Sequence, residues 1–189
     1  MIEWLFVPAA YLIGSISSAI IICRFMGLPD PREQGSGNPG ATNVMRIGGK
    51  KAATMTLLGD LLKGLIPVYI ANLLGVSAGL LALVGLAAFM GHLYPVFFKF
   101  KGGKGVATSI GVLLGFSWLL GFAFICTWVV IYKVGKISSL SALVASVVSP
   151  VYTWFIVGDQ ALIWASVVMM MFLIWRHKSN IQRLLSGEE

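Results

Sequence analysis

The chain has 189 residues, of which 58% are hydrophobic and only 11% charged, with a mean hydropathy of +0.89 and a formal charge of +7. Soluble domains are roughly 45–50% apolar and about 25% charged. The composition therefore excludes an ordinary soluble fold and predicts one polytopic membrane domain over residues 1–189. The positive charge does not imply a nucleic-acid partner, because 13 of the 14 Lys and Arg residues fall in four short stretches between apolar runs, where anionic headgroups attract them.

The first apolar run, Trp4–Cys23, is too long for the core of a cleavable signal and lacks a basic flank before it, so it reads as a span. A polar segment, 27–51, follows. Ala52–Leu74 and Ala78–Phe98 each suit a span of about 20 residues. Asp60 and Lys63 lie midway along the former at i, i+3, and intramembrane charges are functional candidates, although an ordering ion pair is an equal reading. The next run, Val106–Tyr132, has Lys104 before it and Lys133 and Lys136 after it. Lys and Arg mark the cytoplasmic side, so a single crossing would strand one basic stretch outside. Two short helices turning near Ser117–Gly121 keep both inside. With Ile137–Val157 and Ala161–Trp175, the prediction is an all-α membrane protein of seven transmembrane helices, its N-terminus outside and its C-terminus cytoplasmic. Six helices is the alternative. Gly75 with Gly79, and Gly111 with Gly115, have the spacing of close helix contacts. Cys23 and Cys126 read as buried free thiols.

Three segments on the predicted inner side suit phosphate. Ser36-Gly37-Asn38-Pro39-Gly40-Ala41-Thr42-Asn43-Val44-Met45-Arg46 carries glycines that let successive N–H groups face one concavity, with Ser36, Thr42 and Asn43 as further donors and Arg46 as a bidentate cation. A plain Gly/Pro/Asn turn is the other reading. Gly91-His92 leads into Lys99-Phe100-Lys101-Gly102-Gly103-Lys104-Gly105, which places three lysines and three glycines directly before a helix start. It is not a Walker A loop, having no glycine five positions before Gly103. Arg176-His177-Lys178-Ser179-Asn180-Ile181-Gln182-Arg183 puts His177 and Asn180 on one helical face. Ser138, Ser139 and Ser141 open the sixth predicted span, either as donors or as caps.

At these residues the chain resembles the bacterial acyl-phosphate:glycerol-3-phosphate acyltransferases of the PlsY type, over nearly its whole length. The 36–46 segment is similar to the family's first cytoplasmic motif, 91–105 to the second, and Arg176-His177 with Asn180, Ile181 and Arg183 to the third; Asp60-x-x-Lys63 and Ser139 also look like family positions. The resemblance implies transfer of a fatty acyl group from acyl phosphate to the 1-hydroxyl of sn-glycerol 3-phosphate, giving lysophosphatidic acid and phosphate at the cytoplasmic side of the bacterial inner membrane. It assigns catalysis to Ser36, Arg46, Lys104, His177 and Asn180. Substrate binding falls to Gly37, Asn38, Gly40, Thr42, Asn43, Lys63, His92, Lys101, Gly102, Gly103, Gly105 and Ser139. No cofactor or metal is expected, and membrane lipid is the implied surrounding partner.

The sequence lacks the His-x-x-x-x-Asp of the larger glycerophosphate acyltransferases: Phe97 follows His92 by five residues, and Gln182 follows His177. His177 and His92 are the candidate bases, and neither has an acid at a spacing that would orient it. The favoured route lets the departing phosphate take the proton, with His177 and Asn180 holding glycerol 3-phosphate and the Ser36–Asn43 loop holding acyl phosphate. No acyl-enzyme is expected, since Ser36 and Ser139 have no base beside them in sequence. The alternatives are a transporter of a phosphate-bearing solute and a metal-dependent lipid phosphotransferase.

Overall fold

The first apolar run does not form one helix. In the computed structural model, which describes residues 2–189, a short 3-10 turn at Ile2–Leu5 leads into α1 (Phe6–Gly14), and α2 (Ser18–Phe25) follows at an angle of 42°. Ser15 donates its hydroxyl to the Tyr11 carbonyl at 2.8 Å, beside the bond its own N–H makes there, the back-bonding by which serine bends helices. The carbonyl of Ile16, freed by the break, accepts from the Lys63 ammonium at 2.8 Å. Lipid offers no such partner, so a broken span needs a donor from a neighbouring helix.

The polar segment is also shorter than composition indicated. Helix α3 (Ala41–Leu73) begins inside it and bends at Gly49, whose φ of 74° only glycine adopts freely. A tight turn through Gly75 leads to α4 (Ala78–Leu93), capped by Ser77. The run after Lys104 divides as expected, into α5 (Val106–Phe116) and α6 (Trp118–Gly135), with Ser117 alone between them. Then come α7 (Ser138–Ile156), α8 (Gln160–Arg176), capped by Asp159, and α9 (Lys178–Ser186), which turns 58° from α8. No strand occurs among the described residues. By length and composition α3, α6, α7 and α4 with the 3-10 turn that follows it to Phe98 can each cross a bilayer, and the bent pairs α1/α2 and α8/α9 bring that number to six; α5, at 11 residues, spans only about 16 Å.

Packing is set by small residues, because lipid tails give apolar helices no hydrophobic reason to associate. Helix α5 runs parallel to α3 with backbones in contact. Thr108 donates to the Asp60 carbonyl at 3.0 Å, and a Cβ on Gly111 would lie 2.1 Å from the Leu61 carbonyl. At the far end, Asn72 donates to the Gly115 carbonyl at 2.9 Å. Helices α1 and α4 meet as closely, at Gly14 and Gly91. The predicted contact at Gly111 and Gly115 is therefore present. That at Gly75 and Gly79 is not: Gly75 forms the turn, and nothing lies within 4 Å of a Cβ at either position. The core centres on Phe89, Leu93, Val112, Leu113, Leu120 and Phe124. Helix α6 buries only Leu120, Gly121 and Phe124, so Cys126 is exposed rather than buried as expected; Cys23 is buried.

Candidate active site

A cavity of about 880 Å³ collects residues from all three phosphate-suited segments. Ser36, Asn38, Gly40, Thr42, Asn43 and Arg46 line it from the start of α3. His92, Lys104 and Gly105 come from α4 and the start of α5; Ser138 and Ser139 open α7; His177, Asn180 and Arg183 come from the α8–α9 corner. Four helices, α3, α5, α7 and α9, thus begin at this cavity. Each N-terminus presents unpaired N–H groups and the positive end of its dipole, so their convergence favours anions beyond what side chains supply. Leu57, Leu61, Ile110, Ile125, Trp128 and Val129 add an apolar surface beside the polar end.

The remaining predicted residues lie elsewhere. Gly37, Lys101 and Gly102 line a second cavity of about 600 Å³, with Arg32 and Arg176. Gly103 lines neither cavity. Its N–H donates to the His92 carbonyl at 3.2 Å. The Arg176 guanidinium donates to the Gly103 carbonyl at 3.1 Å and to the Gly102 carbonyl at 2.8 Å. Lys63 is buried and paired with Asp60 at 2.7 Å. Asn43 is buried too: its amide donates to the carbonyls of Pro31 and Gln34, and its oxygen accepts from the Ser36 N–H at 2.9 Å. Asn43 therefore shapes the loop that presents Ser36, a role its residue type alone did not reveal.

In two titratable groups of the cavity, burial and neighbouring cations disfavour the charged form. The Lys104 ammonium is pushed down to about 8, first by burial and then by Arg183, Arg176 and Arg46. It contacts the Asn180 side-chain oxygen. His177 is pushed down to about 4, mainly by burial, so its imidazole is neutral at pH 7. A carbonyl only accepts, so the 2.8 Å contact from Nδ1 to the Leu173 carbonyl assigns the proton to Nδ1. Nε2 then carries a lone pair able to accept a hydrogen bond from a hydroxyl.

Sequence spacing did not reveal what two acids stand beside. Asp60 stands 3.7 Å from His92 Nδ1, so His92 does have an acid beside it, brought by α3 rather than by its own segment. Glu189 accepts from Ser139 and from Asn180, both at 2.6 Å, and from Arg183 at 2.7 Å. Ser139 thus does have a carboxylate at its hydroxyl. That carboxylate is held at about 2 by those three hydrogen bonds against its desolvation, which makes it too weak a base to activate a serine. No group of three or more His, Cys, Asp or Glu side chains suited to a metal ion occurs among the described residues.

The family profile of Glycerol-3-phosphate acyltransferase matches residues 4–187. The chain is 59% identical over 188 residues to the glycerol-3-phosphate acyltransferase of Methylococcus capsulatus, covering all of this chain and 95% of that one. It is 55% identical to that of Thioalkalivibrio sulfidiphilus, covering 97% and 90%. Among solved structures it resembles PlsY (YgiH), an integral membrane glycerol 3-phosphate acyltransferase. The glycerol 3-phosphate form gives a TM-score of 0.95 at 38% identity, over all of this chain and 94% of that one. The lysophosphatidic acid form gives 0.93 at 37%, with the same coverage.

Proposed function

The chain belongs to the glycerol-3-phosphate acyltransferase family, and we propose that it takes its acyl group from acyl phosphate and passes it to the 1-hydroxyl of sn-glycerol 3-phosphate. It is a membrane acyltransferase of phospholipid synthesis. The observation that carries the donor's identity is the cavity itself. Cations and four helix N-termini stand at one end of an apolar wall, which suits a lipid with a phosphate head beside a small phosphate ester.

Lys104 and Arg46 neutralise the two phosphates. His177, accepting at Nε2, and Asn180 hold glycerol 3-phosphate by hydrogen bonds, leaving the single proton of the attacking 1-hydroxyl free to be transferred. The hydroxyl oxygen bonds to the acyl carbon as the bond from that carbon to the phosphate oxygen breaks. The departing phosphate takes the proton, because an imidazole held at about 4 is a poor base at pH 7. An acyl phosphate is a mixed anhydride, so positioning and charge stabilisation supply most of what the reaction needs. No acyl-enzyme forms, and lysophosphatidic acid and phosphate leave.

The site faces the cytoplasm of the bacterial inner membrane, with seven crossings, the N-terminus outside and the C-terminus inside. The parallel course of α3 and α5 supports this count: both start at the basic, cavity end and finish together at Asn72 and Phe116.

Purified protein incubated with palmitoyl phosphate, glycerol 3-phosphate and EDTA tests the reading. Phosphate release that depends on glycerol 3-phosphate and matches lysophosphatidic acid formed is expected. Activity that is absent until magnesium is restored would instead point to a metal-dependent phosphotransferase.

A further inference from the structure

A buried polar cluster lies at the wall of the cavity, where Asp60 and His92 line it and Lys63 stands behind them. Asp60, Lys63 and His92 are 3%, 6% and 7% exposed. One carboxylate oxygen of Asp60 lies 2.7 Å from the Lys63 ammonium and 3.7 Å from His92 Nδ1. The ammonium is also tied to the Ile16 carbonyl, which anchors the cluster to the break in the first span. On its other side the imidazole abuts the glycine loop. A Cβ on Gly103 would lie 2.3 Å from His92 Nε2, and a Cβ on Gly102 would lie 2.0 Å from the His92 carbonyl. The His92 carbonyl holds the Gly103 N–H. The next residue along the chain is Lys104.

We propose that His92, which stands beside Asp60, is a positioning residue: it fixes Gly103, and through Gly103 sets where the Lys104 ammonium meets substrate phosphate. The cluster is anchored through α3 to both neighbouring spans, so the loop is seated on a fixed base rather than on its own glycines. Arg176 grips the same loop from α8, so loss of His92 leaves the loop in place but misaligned. A charge centre that must meet a phosphate is sensitive to such misalignment, since a displacement near 1 Å costs on the order of 100-fold in oriented reactions. The proposal rests on the acyl-transfer reading only for the identity of the substrates.

The test is a double-mutant cycle in the full-length protein, purified in detergent, using His92→Asn, Gly103→Ala and the pair. Asparagine keeps an amide donor near Nδ1 and withdraws the ring edge from Gly103. Each single change is expected to weaken binding of inorganic phosphate, and to raise KM for glycerol 3-phosphate, by about tenfold. The double variant is expected to be no weaker than the weaker single one, because the shorter side chain makes room for the methyl group. The remaining close neighbour of that methyl, the Pro39 carbonyl at 3.2 Å, needs only a small shift. Losses that multiply would make His92 an independent contact to substrate and overturn the proposal, as would a His92→Asn variant that binds like the native protein. If Gly103→Ala does not fold, an amine-reactive probe on His92→Asn decides. Lys104 is expected to label several-fold faster, and an unchanged rate overturns the proposal. Phosphate binding is read without acyl donor, so failure of the donor assignment leaves these outcomes interpretable.

Discussion

Raising the pH should switch off capture of glycerol 3-phosphate through one residue. Lys104 titrates at about 8 in the substrate-free cavity, because burial and three guanidinium groups disfavour its charge. The charged form is the useful one, so activity is present below that value and lost as the pH rises through it. At pH 9, one unit above, only about one-tenth of the sites stay protonated, and kcat/KM, which reports the free enzyme, should fall roughly tenfold from its value at pH 7. A lysine at its ordinary value of 10.5 would lose almost nothing over that range. Bound phosphate brings the opposite charge next to the ammonium, so the alkaline limb of kcat should lie above that of kcat/KM. Phosphate release at several glycerol 3-phosphate concentrations between pH 6 and 10 measures both. Lys104→Arg, which keeps a charge that does not titrate, should have lower activity but no alkaline limb. Lys104→Ala should lose on the order of 100-fold or more at every pH, as removal of a charge-stabilising donor does. An unchanged limb near pH 8 in the arginine variant would assign the titration elsewhere and refute this account of Lys104.

His177→Gln keeps a hydrogen-bonding group but cannot titrate, so it should retain turnover with a raised KM for glycerol 3-phosphate; loss of activity at saturating substrate with folding intact would make His177 the base. Gly111→Leu should drive α5 from α3, because its Cβ would meet the Leu61 carbonyl at 2.1 Å. The cost should be at least the 1–3 kcal/mol typical of overpacking, read as a lowered melting temperature in detergent. Cysteines placed singly at Glu3 and Glu188 of a variant lacking Cys126 should react with an impermeant thiol reagent from opposite sides of the membrane. Labelling from one side would support six crossings.

The architecture was legible where chemistry and lipid act on the same residues. Basic stretches flanking Val106–Tyr132 called for a turn near Ser117–Gly121, which falls at Ser117, and the glycine spacing at 111 and 115 located a true helix contact. The break at 15–17 left no comparable mark. Its stabilising partner is Lys63, remote in sequence, and two serines in an apolar run read simply as small residues. The cavity's cations and hydrogen-bonding groups were readable as three motifs, because a phosphate site needs glycine, Lys, Arg and amide donors close together. Their supports were not. Asn43, Arg176, Asp60 and Glu189 act on the site from a distance in sequence, through carbonyls and ion pairs that no local spacing encodes. Gly75 and Gly79 show the opposite failure, a contact spacing that arose from a turn.

The contact between Lys63 and Ile16 gives the buried ion pair a direction. Exchanging its members, Asp60→Lys with Lys63→Asp, preserves the net charge and the i, i+3 spacing, and on a surface helix such a swap would be nearly silent. Here it would set a carboxylate against the Ile16 carbonyl, oxygen facing oxygen, and leave the broken turn of the first span without a donor in lipid. The new ammonium at position 60 would in turn confront His92, and the Thr108 hydroxyl is already committed to the backbone there. The bundle therefore distinguishes between two arrangements of equal charge. Its polarity at this depth is fixed by a main-chain atom that cannot be mutated away.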